Sequence, residues 1–212
     1  MLTPRLRFPI AILLVLAGCR DAAAPLGERN AAGPRFSTTS STAPYIIQQS
    51  PTAPLLQTYQ LSFWVRHDRE STVEVDYQPA AGQSVGQPFL RFHIPKFGMM
   101  YAPDGTRLLG SDSLLITLTI DTLNFLVDFE PSGVKFSTVL TPQLVMWYAN
   151  ANPDLNGDGV VDATDAALEQ QLAIWGQTTR TQGWFKTTSN NDTTQQYVVS
   201  NVYHFSNYAV AF

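Results

Sequence analysis

The sequence predicts an all-β fold, an antiparallel β-sandwich that carries one inserted loop followed by a helix. Three observations lead to this expectation. Short segments alternate apolar and polar residues with the period of a strand, turn-forming residues separate them, and only one stretch has helical periodicity. With 212 residues, 44% of them hydrophobic, the chain can form one domain with a substantial core and appendages. We therefore expect the strands to pack as a sandwich of two sheets.

The first predicted strands begin near Leu55, where the folded domain is expected to start and to continue to residue 212. In the first strand one face carries Tyr59, Leu61, Phe63 and Val65. The second strand follows a polar turn at 67–71. Alternation assigns one of its faces to three large apolar residues, which are Val73, Val75 and Tyr77.

Further strands follow in the same manner, with a hairpin turn at Asp104-Gly105. The predicted strands are 89–94, 96–101, 114–120, 123–129, 134–139, 144–148, 184–187, 196–202 and 203–212, and a turn is expected at 190–192. The four tryptophans, Trp64, Trp147, Trp175 and Trp184, are expected to pack in the core. An exposed coplanar pair of them would instead favour sugar binding.

The N-terminus has the pattern of a secretory signal. Arg5 and Arg7 precede an apolar run at 8–16 that is too short to span a bilayer, and the run ends in Leu-Ala-Gly before Cys19. This ending resembles the bacterial lipobox, which implies cleavage after residue 18, lipidation of Cys19 and attachment to the cell envelope. Because Arg20 follows rather than an acidic residue, the outer membrane is the expected location. Cys19 is the only cysteine, so no intrachain disulfide is available.

Residues 19–54 are predicted to be a flexible tether, because they are rich in Ala, Pro, Ser and Thr and poor in large apolar residues. Without the first eighteen residues the chain has 11 basic and 17 acidic residues and therefore a formal charge of −6. It has no basic cluster that could neutralise phosphates. We expect no nucleic-acid partner.

The most specific motif runs from Asp154 to Asp165 and reads Asp-Leu-Asn-Gly-Asp-Gly-Val-Val-Asp-Ala-Thr-Asp. Oxygen donors fall at loop positions one, three, five, seven, nine and twelve, and Gly159 permits a sharp turn at position six. The predicted ligands of a Ca²⁺ ion are the side chains of Asp154, Asn156, Asp158, Asp162 and Asp165 and the carbonyl of Val160. Four carboxylates this close would repel one another without a cation between them.

The loop departs from the usual EF-hand because position twelve is Asp165 rather than Glu. Dockerin modules resemble this version, with Asp at the last position and a single helix afterwards. Here the predicted helix spans 164–175. Leu168, Leu172 and Trp175 share one face, and Gly176 follows as its stop. Only one such repeat is present, whereas dockerins that bind cohesins carry two.

A second resemblance covers residues 89–212. The segments Ile94-Pro95, 114–118, 129–136 and 204–210 resemble bacterial relatives of the ZU-five β-sandwich, and the last segment is similar to the proteolysis site of GAIN domains. The resemblance to GAIN domains implies self-cleavage between Phe205 and Ser206, with His204 and Ser206 as the catalytic residues. The cysteines that form disulfides at the GAIN site are missing here.

Other catalytic patterns receive less support. Gly82 to Gly86 matches the G-x-S-x-G nucleophile elbow, with Asp121 or Asp128 and then His204 following in the order of a hydrolase triad. The segment lacks the flanking strand and helix that an elbow needs and is interpreted as a loop. His67 and His93 are expected to face solvent, and no histidine pair has zinc spacing.

Two functional hypotheses follow. The first is a non-enzymatic, calcium-stabilised surface lipoprotein that binds another protein or a glycan. The second is a sandwich that cleaves its own backbone at Phe205-Ser206.

Overall fold

The computed structural model describes residues 43–179 and 181–212. The predictions for the signal segment, Cys19 and the tether up to residue 42 lie outside these residues. Thirteen strands and one helix occur in the described part of the chain. They are β1 Gln60–Arg66, β2 Ser71–Asp76, β3 Pro88–Ile94, β4 Met99–Tyr101, β5 Ser113–Ile120, β6 Leu126–Glu130, β7 Lys135–Phe136, β8 Gln143–Trp147, α1 Ala163–Glu169, β9 Ala173–Gln177, β10 Trp184–Lys186, β11 Ser189–Asp192, β12 Tyr197–Asn201 and β13 Asn207–Ala211.

The strands form two main sheets, and every strand pairing is antiparallel. One sheet has six strands in the order β1-β5-β6-β13-β9-β10, and the other has five in the order β11-β12-β8-β3-β2. A short third sheet pairs β4 with β7. The predicted all-β fold is therefore confirmed.

The core is formed by the inward faces of the two main sheets. The alternation predicted for the second strand is confirmed, since Val73, Val75 and Tyr77 are all buried. Towards one end, aromatic rings from four strands or strand ends meet, and we call this set the aromatic cluster. Its members are Phe92, Phe129, Phe136 and Phe205.

The hairpin turn at Asp104-Gly105 is confirmed. The amide of Gly105 donates to Ala102 O over 2.9 Å, and the amide of Ala102 donates to Thr106 O over 2.8 Å. Gly105 has φ of 85°, a left-handed conformation that favours glycine. Several strands are shorter than predicted, because some residues of each apolar run lie in a loop and not in the strand. The predicted strand 96–101 forms only at 99–101, since Phe97 has φ of 64°.

The folded domain begins earlier than Leu55, so the prediction of a tether up to residue 54 was wrong for its last part. Ile46 bridges to Ala211, Gln48 to Asn124 and Gln49 to Ala151, all antiparallel. Ile47 is fully buried. Composition did not predict that this segment is ordered, because Tyr45, Ile46 and Ile47 are its only large apolar residues. Their bonding partners also lie far away in the sequence.

The predicted helix 164–175 was also too long. It ends at Glu169, and the following Leu172 is buried, while Trp175 and Gly176 lie in β9 and pair with β13. A Cβ atom on Gly176 would lie 2.8 Å from a ring carbon of Tyr208. Gly176 therefore allows that ring to pack against the strand and does not stop a helix. The predicted turn 190–192 belongs to a strand as well, β11, and the chain turns at 193–196.

The expectations for the histidines and tryptophans need correction. His67 is buried, and its Nδ1 lies 2.6 Å from Met99 O, while His93 is half-buried with Nδ1 2.9 Å from Thr72 Oγ1. None of the four tryptophans is fully buried, and Trp64 is 66% exposed. Trp64 points outward because it alternates with Phe63 and Val65 on β1.

Candidate functional site

The loop Asp154–Asp165, which we call the Asx loop, follows β8, ends in the first turn of α1 and folds around its own side-chain oxygens. The Asp154 carboxylate accepts the amide hydrogens of Gly157, Asp158 and Gly159 at 2.8, 3.1 and 2.8 Å. Asn156 Oδ1 accepts the amide of Asp158 at 2.9 Å. The side chains at loop positions one and three are thus turned towards the inside of the loop.

The following positions repeat this arrangement. Asp158 Oδ1 accepts the amide of Val160 at 2.9 Å, and Asp162 Oδ1 accepts the amide of Thr164 at 2.6 Å. Asp162 is thereby the N-cap of α1. Glycines at positions four and six, Gly157 and Gly159, have φ of 73° and 86°, which allow the two sharp turns.

Asp165 closes the loop. Its Oδ1 accepts the amides of Leu155 and Asn156 at 2.7 and 3.3 Å, and its Oδ2 accepts the amide of Asp162 at 2.9 Å. The residue is only 4% exposed. These amides, that of Asp162 above all, lower the pKa of the Asp165 carboxyl, whereas desolvation raises it. Asp165 therefore remains a carboxylate and joins both ends of the loop.

The donor set fits a calcium ion chemically. Each carboxylate oxygen has about two acceptor positions, so one that receives a single N–H can still bind an ion. Asp154 Oδ2, Asp158 Oδ1 and Asp165 Oδ2 are of this kind. Among the described residues, no group of three or more His, Cys, Asp or Glu side chains is already gathered as a metal centre.

The second candidate site, at residues 204–206, lies just before β13. The strand predicted over 203–212 begins only at Asn207, and the backbone bends at Ser206. Ser206 is fully buried, and its Oγ donates a hydrogen bond to Gln177 O. The carbonyl of Phe205 accepts the amide of Gly133 at 3.2 Å.

His204 lies beside this bend and is half-buried. Burial lowers the pKa of its imidazole, and a weaker contact with the Phe205 backbone opposes the shift. Nδ1 of His204 is buried and has no hydrogen-bond partner of regular geometry among the described residues. His204 and Ser206 thus lie on either side of Phe205, and no hydrogen bond joins their two side chains.

The G-x-S-x-G segment does not form a nucleophile elbow. Residues 82–86 lie in the connection between β2 and β3, and the next element along the chain is strand β3 rather than a helix. A Cβ atom on Gly86 would lie 1.7 Å from Tyr77 O, so this glycine permits close contact between two backbone segments.

No family model matches the chain, and the comparisons with curated proteins and with solved structures also give no match. The resemblances to the ZU-five and GAIN sandwiches and to dockerins therefore rest on the quoted residues alone. What the fold defines is an antiparallel β-sandwich with an Asx-rich loop and one short helix between β8 and β9. Within residues 43–179 and 181–212, no helix has the length and apolar composition to cross a bilayer.

Proposed function

We propose that the protein is a calcium-binding surface lipoprotein whose sandwich serves as a non-enzymatic binding or structural module. The observation that carries the proposal is the geometry of the Asx loop. Side-chain oxygens at positions one, three, five and nine accept amide hydrogens from within the loop, and Asp165 joins its ends. Such preorganisation lowers the ordering cost of binding. Carboxylate and amide oxygens are the ligands that Ca²⁺ prefers.

In this proposal calcium has a structural role. Extracellular calcium modules bind with Kd of about 10⁻⁴ to 10⁻³ M, so about 2 mM calcium would add on the order of 1 kcal/mol to the free energy of unfolding. For a domain of this size, the melting temperature should rise by about 2–4 °C. A sensor role is not expected, because strand β8 rather than a helix leads into the loop, and sensor EF-hands open through a pair of helices.

The test is a thermal unfolding measurement of the purified chain in EDTA and in calcium. Asp158→Ala should abolish the calcium-dependent rise, because it removes the ligand at position five. Asp104→Ala is a matched control, since Asp104 is also an exposed aspartate that accepts a backbone amide, that of Thr106 at 2.8 Å, but lies outside the loop. The control should keep the full rise. No thermal shift and no heat of binding in the wild type would refute calcium binding.

The lipid anchor is proposed from the sequence, because Cys19 follows the Leu-Ala-Gly run. Two or more acyl chains on this residue would hold the protein stably on a membrane. The Cys19→Ser chain should appear in the soluble fraction, whereas the wild type should sediment with membranes and carry acyl mass. Membrane association of Cys19→Ser together with an unmodified wild type would exclude the anchor.

Self-cleavage is the second candidate function, favoured by the half-buried imidazole of His204, whose pKa is lowered by burial, beside a backbone bend at Ser206. Ser206 Oγ would attack the carbonyl carbon of Phe205 while His204 accepts the hydroxyl proton. The peptide C–N bond would then break as His204 returns the proton to the Ser206 nitrogen, which becomes a free amine, and the resulting ester would be hydrolysed by water. The amide of Gly133, which already donates to Phe205 O, could stabilise the developing oxyanion. Ser206 Oγ would first have to leave Gln177 O.

Intact mass under denaturing conditions tests this candidate. Ladder hydrogen bonds would hold a released segment 206–212 in the six-stranded sheet, so native separation would miss it. Two fragments in the wild type and one full-length species in Ser206→Ala are expected if cleavage occurs. A single full-length species in the wild type would leave residues 204–206 with a structural role.

A further inference from the structure

The five-stranded sheet has one side turned away from the core, which we call the outer face. It carries two rows of side chains that run at right angles to the strands. Strand register aligns Thr72, His93, Gln143 and Asn201 in one row and Glu74, Arg91, Val145 and Val199 in the next. A depression of about 280 Å³ lies across both rows. It is lined by Thr72, Glu74, Arg91, His93, Gln143 and Val145.

Arg91 is held between an acidic group and an aromatic ring. Its Nη1 lies 3.9 Å from Glu74 Oε1, and its guanidinium carbon lies 5.4 Å from the centre of a Trp147 ring. Tyr197 packs beside Trp147 with ring centres 6.0 Å apart. The side chains of Arg91 and Glu74 are 47% and 58% exposed. Arg91 is therefore positioned by its neighbours and still open to a ligand.

The chemistry of the depression suits a ligand with many hydroxyl groups. Carboxylate, guanidinium, amide, imidazole and hydroxyl groups surround an apolar floor at Val145, which is 7% exposed. Thr72 Oγ1 bonds Nδ1 of His93 at 2.9 Å, which leaves Nε2 of that ring for another partner. Such groups can donate to and accept from sugar hydroxyls, and Val145 can contact the C–H groups of a sugar ring.

Charge narrows the ligand class further. The lining has one fixed positive charge, Arg91, and one negative charge, Glu74, and they lie close together. A phosphate or sulfate would be repelled by Glu74, and a metal ion by Arg91. The volume lies near the lower end of small-molecule sites, which span about 300–1,000 Å³, so the depression suits a sugar unit better than a folded partner.

We propose that the outer face binds a neutral oligosaccharide, with one sugar unit in the depression between β2, β3 and β8. Arg91, Glu74 and Gln143 bond its hydroxyls, and the guanidinium of Arg91 packs over the Trp147 ring. The proposal deepens the proposed role of the sandwich as a binding module and is independent of calcium in the Asx loop.

The six-stranded sheet supplies a control for non-specific binding through an exposed aromatic side chain. Trp64 is exposed on β1 beside Leu115, but the polar side chains next to this pair are bonded to one another. Ser62 Oγ lies 2.9 Å from Thr117 Oγ1, and Gln60 Nε2 donates to Thr119 Oγ1 over 3.3 Å. Trp64→Ala therefore removes an exposed tryptophan without changing the depression.

The experiment is native affinity electrophoresis of the full chain in detergent, in gels that contain a neutral polysaccharide or polygalacturonate. The neutral probes are mixed-linkage β-glucan, xyloglucan, galactomannan and dextran. At least one of them should retard the wild type and Trp64→Ala equally. Arg91→Ala and Gln143→Ala should each weaken binding about tenfold, as expected for the loss of hydrogen bonds to a ligand. Arg91→Lys should bind more tightly than Arg91→Ala but less tightly than the wild type, because lysine keeps the positive charge but lacks the planar set of N–H donors of the guanidinium.

Three outcomes would overturn the proposal. They are no retardation by any neutral probe, retardation by polygalacturonate alone, and retardation that survives in Arg91→Ala and Gln143→Ala. Thermal unfolding of each variant confirms that it is folded. Gels run with EDTA and with calcium separate this proposal from the calcium site, because loss of calcium binding in Asp158→Ala should leave the retardation unchanged.

Discussion

The Asx loop and the aromatic cluster are stabilised in opposite ways. In the loop, hydrogen bonds connect side chains to backbone amides, and none of these bonds spans more than ten residues. In the cluster, Phe205 stacks on Phe129 with ring centres 5.0 Å apart and packs against Phe136 at 4.8 Å, contacts that join distant parts of the chain. Local polar contacts define the loop, whereas long-range apolar contacts define the core.

This difference predicts separate responses to substitution. Changes in the cluster should reduce the stability of the whole domain, whatever the calcium concentration. Changes in the loop should have smaller effects, and most of those effects should depend on the ion.

The largest expected effect is that of Phe205→Ala. The side chain is fully buried and contacts three other phenylalanine rings, so its removal leaves a cavity and should lower the free energy of unfolding by about 3–5 kcal/mol. Denaturant unfolding measures the loss. Tyr203→Ala, at a position 50% exposed, serves as the control and should change stability by less than about 0.5 kcal/mol. A Phe205→Ala protein as stable as the control would contradict the role of the cluster.

A smaller effect is expected for Asp165→Ala, and it should occur without calcium. Three backbone amides lose their acceptor, so the melting temperature in EDTA should fall by several degrees. Asp158→Ala removes the acceptor of two exposed groups, the backbone amide of Val160 and the side-chain amide of Asn156. Water can replace both bonds, so the EDTA melting temperature should stay almost unchanged. Equal melting temperatures of Asp165→Ala and wild type in EDTA would show that Asp165 has no structural role apart from an ion.

The smallest effect concerns pH and His204. Because burial lowers its pKa below the ordinary value of 6.5, the unfolded chain takes up a proton at a higher pH than the folded chain. The stability from this residue is complete above the unfolded pKa and is lost as the pH falls through the folded pKa. His204→Gln should therefore lose less stability than the wild type between about pH 8 and pH 5. Parallel profiles of wild type and variant in thermal unfolding would rule out this assignment.

The difference between local and long-range contacts also explains which features could be predicted from the sequence. The Asx loop, the Asp104-Gly105 turn and the buried face of β2 depend on residues close together in the chain, and the structure contains all three. Calcium binding itself stays a prediction.

The missed features depend on distant partners. Strand β9 was predicted as the end of a helix, because Leu168, Leu172 and Trp175 have helical spacing, but pairing with β13 determines its conformation. His67 is buried because its Nδ1 donates a hydrogen bond to the carbonyl oxygen of Met99, thirty-two residues away. The polar rows of the outer face likewise form only when register aligns β2, β3, β8 and β12.

The early start of the domain at Tyr45 has a mechanical consequence. The amide of Tyr45 donates to Phe212 O over 3.1 Å, and Ile47 donates to Val210 O over 3.1 Å, so the entering segment is fastened to the end of β13. The same segment borders the Asx loop, since Tyr45 and Asp154 line one small cavity. Tension applied ahead of Tyr45 would reach these hydrogen bonds first. The first bonds to break under such a load would therefore be those between the entering segment and the end of β13, beside the Asx loop.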